Sequence, residues 1–172
     1  MCSVLQTDAP LQRVGFSLGS NSGDRLALLE AACDGLYREF GDLRLSQVYE
    51  TEPVGCPPGS PAFLNACVEV HSALPPEEIL QRCQMIEQEL GRHRSGVYGE
   101  ARTCDIDLLY CGDMQLHTPT LTLPHPRAHL RRFVLQPLCD IDPLLTLPGC
   151  RESVAQLLAR LPENPRVTPF DL

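Results

Sequence analysis

Asp105 and Asp107 stand two residues apart in a stretch, Cys104 to Leu108, where apolar and acidic side chains alternate. In a β-strand that spacing puts both carboxylates on one face about 7 Å apart and sends Cys104, Ile106 and Leu108 to the other. Two such charges repel by roughly 2 kcal/mol at an effective dielectric of about 20, so the pair favours a cation between them. Magnesium meets that demand, taking oxygen ligands from one or two carboxylates and completing its shell with substrate phosphates. The same tripeptide also suits an exposed strand face with Arg102 as a surface partner. Arg92, Arg94 and Arg102 bracket the polar stretch leading into this strand. A guanidinium fork holds phosphate oxygens, although scattered solvated arginines would look alike. A second basic cluster follows, with His125 constrained between Pro124 and Pro126 and trailed by Arg127, His129, Arg131 and Arg132.

These groups need a scaffold, and the hydrophobic periodicity supplies one. Residues 14–18 form a short apolar run punctuated by Gly19, Ser20, Asn21, Ser22 and Gly23, a strand leaving into a turn. A helix follows, capped by Asp24 or Ser22, with Leu26, Leu29, Leu36 and Phe40 on one stripe before Gly41. Residues 43–52 read as a strand, residues 53–59 as a stiff proline-bearing loop, and residues 63–70 as a second, antiparallel strand. Pro75 and Pro76 suit the first turn of a second helix, with Ile79, Cys83, Ile86 and Leu90 as its stripe and Gly91 as its end. The acidic strand, 103–110, comes next. A short run at 121–123, a segment at 131–138 with no assigned element, and a last short helix near 153–161 complete the chain. The order strand, helix, strand, strand, helix, strand predicts an α+β, ferredoxin-like antiparallel sheet with helices packed on it.

Composition limits what this scaffold does. At 172 residues, 43% hydrophobic and 21% charged, the expectation is a single domain over 1–172, its core at about 13–161 between a polar leader and a short tail. No run reaches the roughly 18 apolar residues of a membrane span, and the N-terminal residues do not resemble a secretory signal, so a cytoplasmic monomer is expected, with a dimer as the alternative. The net charge of −8, from 14 basic and 22 acidic side chains, and the 5% aromatic content argue against nucleic acid as a partner. All 14 basic residues are arginine. Lysine-based chemistry, including a P-loop lysine or a Schiff base, is therefore excluded. The nine cysteines show no Cys-x-x-Cys spacing and read as reduced, packed thiols.

A series of ordered blocks then carries a resemblance: Gly19-Ser20-Asn21, Thr51-x-Pro53-Val54-Gly55, Phe63-Leu64-Asn65, Gly91-Arg92, Arg102-Thr103-x-Asp105-Ile106-Asp107, Pro124-His125-Pro126-Arg127 and Arg131-x-Phe133-Val134-Leu135-x-Pro137-Leu138. Across residues 19–138 the chain resembles the 6-hydroxymethyl-7,8-dihydropterin pyrophosphokinases of folate biosynthesis, which implies the ferredoxin-like fold already expected. The implied reaction moves pyrophosphate from MgATP to the pterin hydroxymethyl oxygen and releases AMP. By resemblance, Asp105 and Asp107 hold two magnesium ions, Asp107 also helps receive the proton, and Arg92 and Arg102 stabilise the moving phosphates. Gln84, Arg94, Thr122, His125 and Arg131 match positions that contact ATP. Phe63 and Phe133 match the aromatic faces about the pterin, with Asn65 and the backbone near Thr51, Pro53 and Val54 reading its polar edge; both phenylalanines also suit a plain core. Many members carry Trp-Gly-Pro-Arg before the acidic strand, where this chain has Tyr98-Gly99-Glu100-Ala101-Arg102, making Tyr98 the candidate aromatic plug. Ser95 stands near a lysine some members have, and Pro126 where some have tyrosine. A non-catalytic ferredoxin-like ligand-binding or regulatory module with an altered lid is the alternative.

Overall fold

Val14, Phe16 and Leu18 alternate with Gly15, Ser17 and Gly19, and this period of two builds β1, Gln12–Ser20. The computed structural model describes residues 10–53, 57–91 and 104–172. After β1 come α1 (Arg25–Phe40), β2 (Leu43–Leu45), β3 (Tyr49–Thr51), β4 (Phe63–Ser72), α2 (Pro76–Gly91) and β5 (Asp105–Cys111). The remainder holds β6 (Leu116–His117), β7 (Thr122–Leu123), α3 (Arg132–Ile141), α4 (Val154–Arg160) and β8 (Val167–Pro169). Of the two caps the sequence offers for α1, Asp24 is the one realised. The Asp24 carboxylate accepts from Ala27 N at 3.1 Å at the start of α1, and Ser153 and Gln156 form a reciprocal capping box on α4.

The strands order as β5-β1-β4-β3-β8, with β2 also on β4, and every pairing in this sheet is antiparallel. This is the expected α+β arrangement, with one refinement at the predicted 43–52 strand. Between Leu45↔Val68 and Tyr49↔Asn65 three residues oppose two, so the strand breaks into β2 and β3. Ser46 causes the break locally: its Oγ accepts from Cys67 N at 2.8 Å and donates to Gln47 O at 2.8 Å, replacing a ladder bond with side-chain bonds.

Both faces of the sheet are covered. Phe16, Leu18, Val68, Ile106 and Leu108 pack under α1 and α2, while Cys67, Leu109 and Tyr110 pack under α3 and α4. On this second face Tyr110 lies across β1 because position 15 is glycine. A Cβ there would stand 2.3 Å from the tyrosine ring, closer than any side chain tolerates. The Tyr110 hydroxyl donates to the buried Glu69 carboxylate at 2.5 Å. Arg13 Nε donates to the same carboxylate at 3.0 and 3.1 Å, and Arg13 bridges onward to Asp142 at 3.1 Å. Burial beside Glu69 pushes the Tyr110 pKa well up, keeping its proton in that bond. Desolvation likewise pushes buried thiols up, to about 12 for Cys83 and Cys104. Among the described residues no helix is long and apolar enough to cross a membrane.

Candidate functional site

The face of β5 that carries Asp105 and Asp107 is the one the period of two predicts. Asp105 lies opposite Gly19 and Asp107 opposite Ser17, and these small residues face Asn65 and Cys67 across β1 and β4. Small side chains in the central strand leave a hollow between the acids and β4. A Cβ at Gly19 would come within 3.2 Å of Asn65 Oδ1. The hollow is a cleft of about 240 Å3, walled by Thr51, Phe63 and Asn65 from the sheet and by Arg131 and Phe133 from the start of α3. Both phenylalanines are only half-buried and line the cleft, and Phe133 also packs against the core beneath α3 and α4. Arg131 lies over the Phe133 ring, 5.5 Å from guanidinium to centroid. Asn65 Nδ2 donates to Thr51 Oγ1 at 2.7 Å, an orientation that leaves Oδ1 as the amide's acceptor on the Gly19 side.

A second pocket of about 290 Å3 adjoins the first, formed by Leu80 of α2, residues 118–121, Thr122 and His125, and Asp107 lines both. The predicted constraint on His125 is visible in its bonds. Its backbone N donates to Leu109 O at 2.8 Å, and its Nδ1 accepts from Arg127 N at 3.1 Å. With Nδ1 an acceptor, neutral His125 carries its proton on Nε2. Desolvation lowers its pKa; Asp107 works against that and the Arg131 and Arg127 charges reinforce it. Asp107 stays open to solvent at the mouth of the cleft, yet the walls strip enough water to raise its pKa. Asp105 adds to that rise, and His125 and Arg131 oppose it.

The structure therefore unites Asp105, Asp107, Thr51, Phe63, Asn65, Arg131 and Phe133 in one cleft and Asp107, Thr122 and His125 in the other. Gln84 lines neither; it is exposed on α2, one turn beyond Leu80. Pro53, half-buried just after β3, is also outside both linings. Arg92, Arg94, Tyr98, Arg102 and Val54 lie outside the described residues. Sequence reading puts Ser17 in the apolar run and Gly19 in the turn after it, whereas β1 includes both and their alternation with Phe16 and Leu18 assigns them to the acidic face. Glu52 and Pro165 also line the cleft, and no local pattern marks either.

Among the described residues no group of three or more His, Cys, Asp or Glu side chains is arranged as a complete metal cage. What the cleft offers is a pair of hard carboxylates on one face, with the Cys104 thiol directed to the other. That donor set fits a magnesium ion that shares its shell with a phosphate-bearing substrate, and it does not fit a soft or imidazole-preferring metal.

Comparison with known proteins bears on the family and the fold. Residues 15–143 match a family described as 7,8-dihydro-6-hydroxymethylpterin-pyrophosphokinase (HPPK). A Porphyromonas gingivalis protein named 2-amino-4-hydroxy-6-hydroxymethyldihydropteridine pyrophosphokinase is 47% identical over 137 residues, covering 77% of this chain and 92% of the relative. A Mycobacterium leprae protein of the same name is 42% identical over 171 residues, 91% of this chain and 86% of the relative. In three dimensions the chain is similar to a crystal structure of wild-type Plasmodium falciparum HPPK-DHPS with pteroate, at a TM-score of 0.69 and 15% identity over 87% of this chain. It spans only 42% of that longer protein, and the likeness there is one of fold.

Proposed function

The chain belongs to the 7,8-dihydro-6-hydroxymethylpterin-pyrophosphokinase family, and from that premise we propose how its own residues carry the reaction. The enzyme transfers pyrophosphate from ATP to the hydroxymethyl group of 6-hydroxymethyl-7,8-dihydropterin, a step of folate biosynthesis. The observation that carries the assignment of roles is the position of Asp107, which lines the aromatic cleft and the neighbouring His125 pocket at once. A flat ring held in the first and a triphosphate reaching out of the second meet at this carboxylate.

Phe63 and Phe133 supply apolar surface for the pterin ring. Asn65, its amide turned by Thr51, offers Oδ1 to a ring N–H donor. In the second pocket His125 presents Nε2–H to the nucleotide, and a lowered pKa keeps it neutral at physiological pH. Arg131 brings a fixed positive charge toward the phosphates. The hydroxymethyl oxygen attacks the β-phosphorus, the bond from that phosphorus to the oxygen bridging the α-phosphate breaks, and AMP leaves. Asp107, with its raised pKa, is suited to receive the hydroxyl proton. Asp105 and Asp107 would hold magnesium, which when bound neutralises phosphate charge and polarises the phosphoryl oxygens. Arg92 and Arg102 remain the sequence's candidates for further phosphate charge. The non-catalytic module weighed as an alternative has no support from the relatives, which carry the enzyme's name.

Mixing the protein with MgATP and 6-hydroxymethyl-7,8-dihydropterin is expected to yield AMP and pterin pyrophosphate in equal amounts, read by chromatography, with EDTA abolishing both. Release of ADP would rule the reading out.

The pKa directions set a pH dependence. Protonated Asp107 is neutral and neither holds a cation nor accepts a proton, so kcat/KM falls on acidification. Because its pKa is raised, the limb has its midpoint above the ordinary carboxylate value of 3.8. The limb should persist in His125→Gln with its midpoint moved upward, since the histidine charge opposes the rise in the Asp107 pKa, while the histidine itself titrates below 6.5 and works in its neutral form. A limb that disappears in His125→Gln would assign the titration to the histidine instead.

A further inference from the structure

Residues 164–170 lie beyond the stretch 15–143 that matches the family, yet they reach the cleft. We propose that this C-terminal segment is a positioning element of the pterin site, with Pro165 forming one wall and fixing how the flat ring seats. The inference rests on the pyrophosphokinase reading. β8 pairs with β3, placing Val167 opposite Thr51 and Pro169 opposite Tyr49. Just past that ladder, Glu52 N donates to Arg166 O at 3.2 Å, and Arg166 N returns a bond to the Glu52 carboxylate at 3.5 Å. The exchange delivers Pro165 beside Glu52, where both line the cleft with Phe63 and Phe133.

The segment is tied down at both ends, and each tie leads to an aromatic wall. Downstream, Phe170 N donates to Val48 O at 2.9 Å, and the Phe170 ring lies 5.8 Å from the Arg25 guanidinium. Arg25 also pairs with Glu50 at 3.1 Å and donates to Ala62 O at 2.7 Å, the residue before Phe63. Upstream, Arg132 donates to the carbonyls of Leu161 at 2.9 Å and Pro162 at 3.0 Å, and Arg132 stands between Arg131 and Phe133. One stretch of chain thus spans from the base of one wall to the base of the other. Proline suits the span's midpoint: its ring is rigid and apolar, and it has no N–H to compete for the polar edge of a bound heterocycle.

Pro165→Gly removes the wall and keeps both ties. The expected result is a KM for 6-hydroxymethyl-7,8-dihydropterin raised about fivefold with the KM for ATP unchanged, and a Tm lowered only by the extra freedom glycine gives the unfolded chain. Phe170→Ala, which loosens the downstream tie, should show the same split together with a lower Tm. Calorimetric binding of the pterin, with a nonhydrolysable ATP analogue present, reads the wall without turnover and should weaken about fivefold in Pro165→Gly. An unmoved pterin KM and affinity in Pro165→Gly, or equal rises in both KM values, would overturn the proposal. Failure of the unmodified protein to release AMP would overturn the reaction reading instead, leaving the calorimetric comparison to decide the role of Pro165.

Discussion

Asp107→Asn is expected to lower AMP formation by on the order of 10³-fold, about 4 kcal/mol of transition-state stabilisation, while the protein becomes more stable to heat. The two effects have one cause. Asparagine keeps the shape of the side chain but removes the charge that faces both pockets, so the phosphates lose their cation anchor and the hydroxyl loses its proton acceptor. On the stability side, the folded pKa of Asp107 lies above its ordinary value, so the fold disfavours the ionised form. Its contribution to stability therefore falls as pH rises from the unfolded pKa through the folded one, and the cost is fully present at neutral pH. Removing the charge raises the Tm at pH 7, and the gain shrinks toward zero below both pKa values. Thermal melts at pH 7 and at pH 3, set beside AMP release, test both halves. Normal turnover in this variant would remove Asp107 from the mechanism, and a lowered Tm at pH 7 would contradict the desolvation argument.

Arg13→Met is expected to cost about 3 kcal/mol and to lower the Tm by roughly 6–12 °C, with AMP formation per folded molecule unchanged. The Glu69 side chain is 1% exposed, whereas Arg13 is 38% exposed. Deleting the arginine therefore leaves a charge that water cannot reach, held among the described residues by the Tyr110 hydroxyl alone. Replacing both partners, as in Arg13→Met with Glu69→Met, removes the stranded charge and should recover most of the loss. Chemical denaturation of the single and double variants measures the difference. A single-variant cost below about 0.5 kcal/mol, the size of a surface pair, would mean that Glu69 finds another partner.

Much of this architecture was legible because it follows from local periodicity. The strand-helix-strand order, the Asp24 cap and the acidic face of β5 each depend on residues close in sequence. What stayed hidden depends on pairing at a distance. The break at Ser46 arises from a hydroxyl bonding across to Cys67, which no strand pattern encodes. The segment 131–138 lies at the start of α3, and Pro137 inside that helix obscured it, because proline withholds a helical N–H. Phe63 and Phe133 suit either core or site in sequence, and in the fold both line the cleft while Phe133 also packs on the core. Glu52 and Pro165 stand more than a hundred residues apart, and composition marks neither as a neighbour of the other. Of the residues the resemblance suggests, the two carboxylates, His125 and Arg131 line the pockets, whereas Gln84 lies outside them on the exposed side of α2.

The sheet's two-sided covering turns its buried cysteines into reporters. Alkylating reagents consume thiolate, and Cys83 and Cys104 belong to the half beneath α1 and α2, whereas Cys67 belongs to the half beneath α3 and α4. Each thiol is shielded and reluctant to ionise while its own half stays shut. Timed labelling followed by mass spectrometry would then rank which half breathes first, with no probe engineered into the chain.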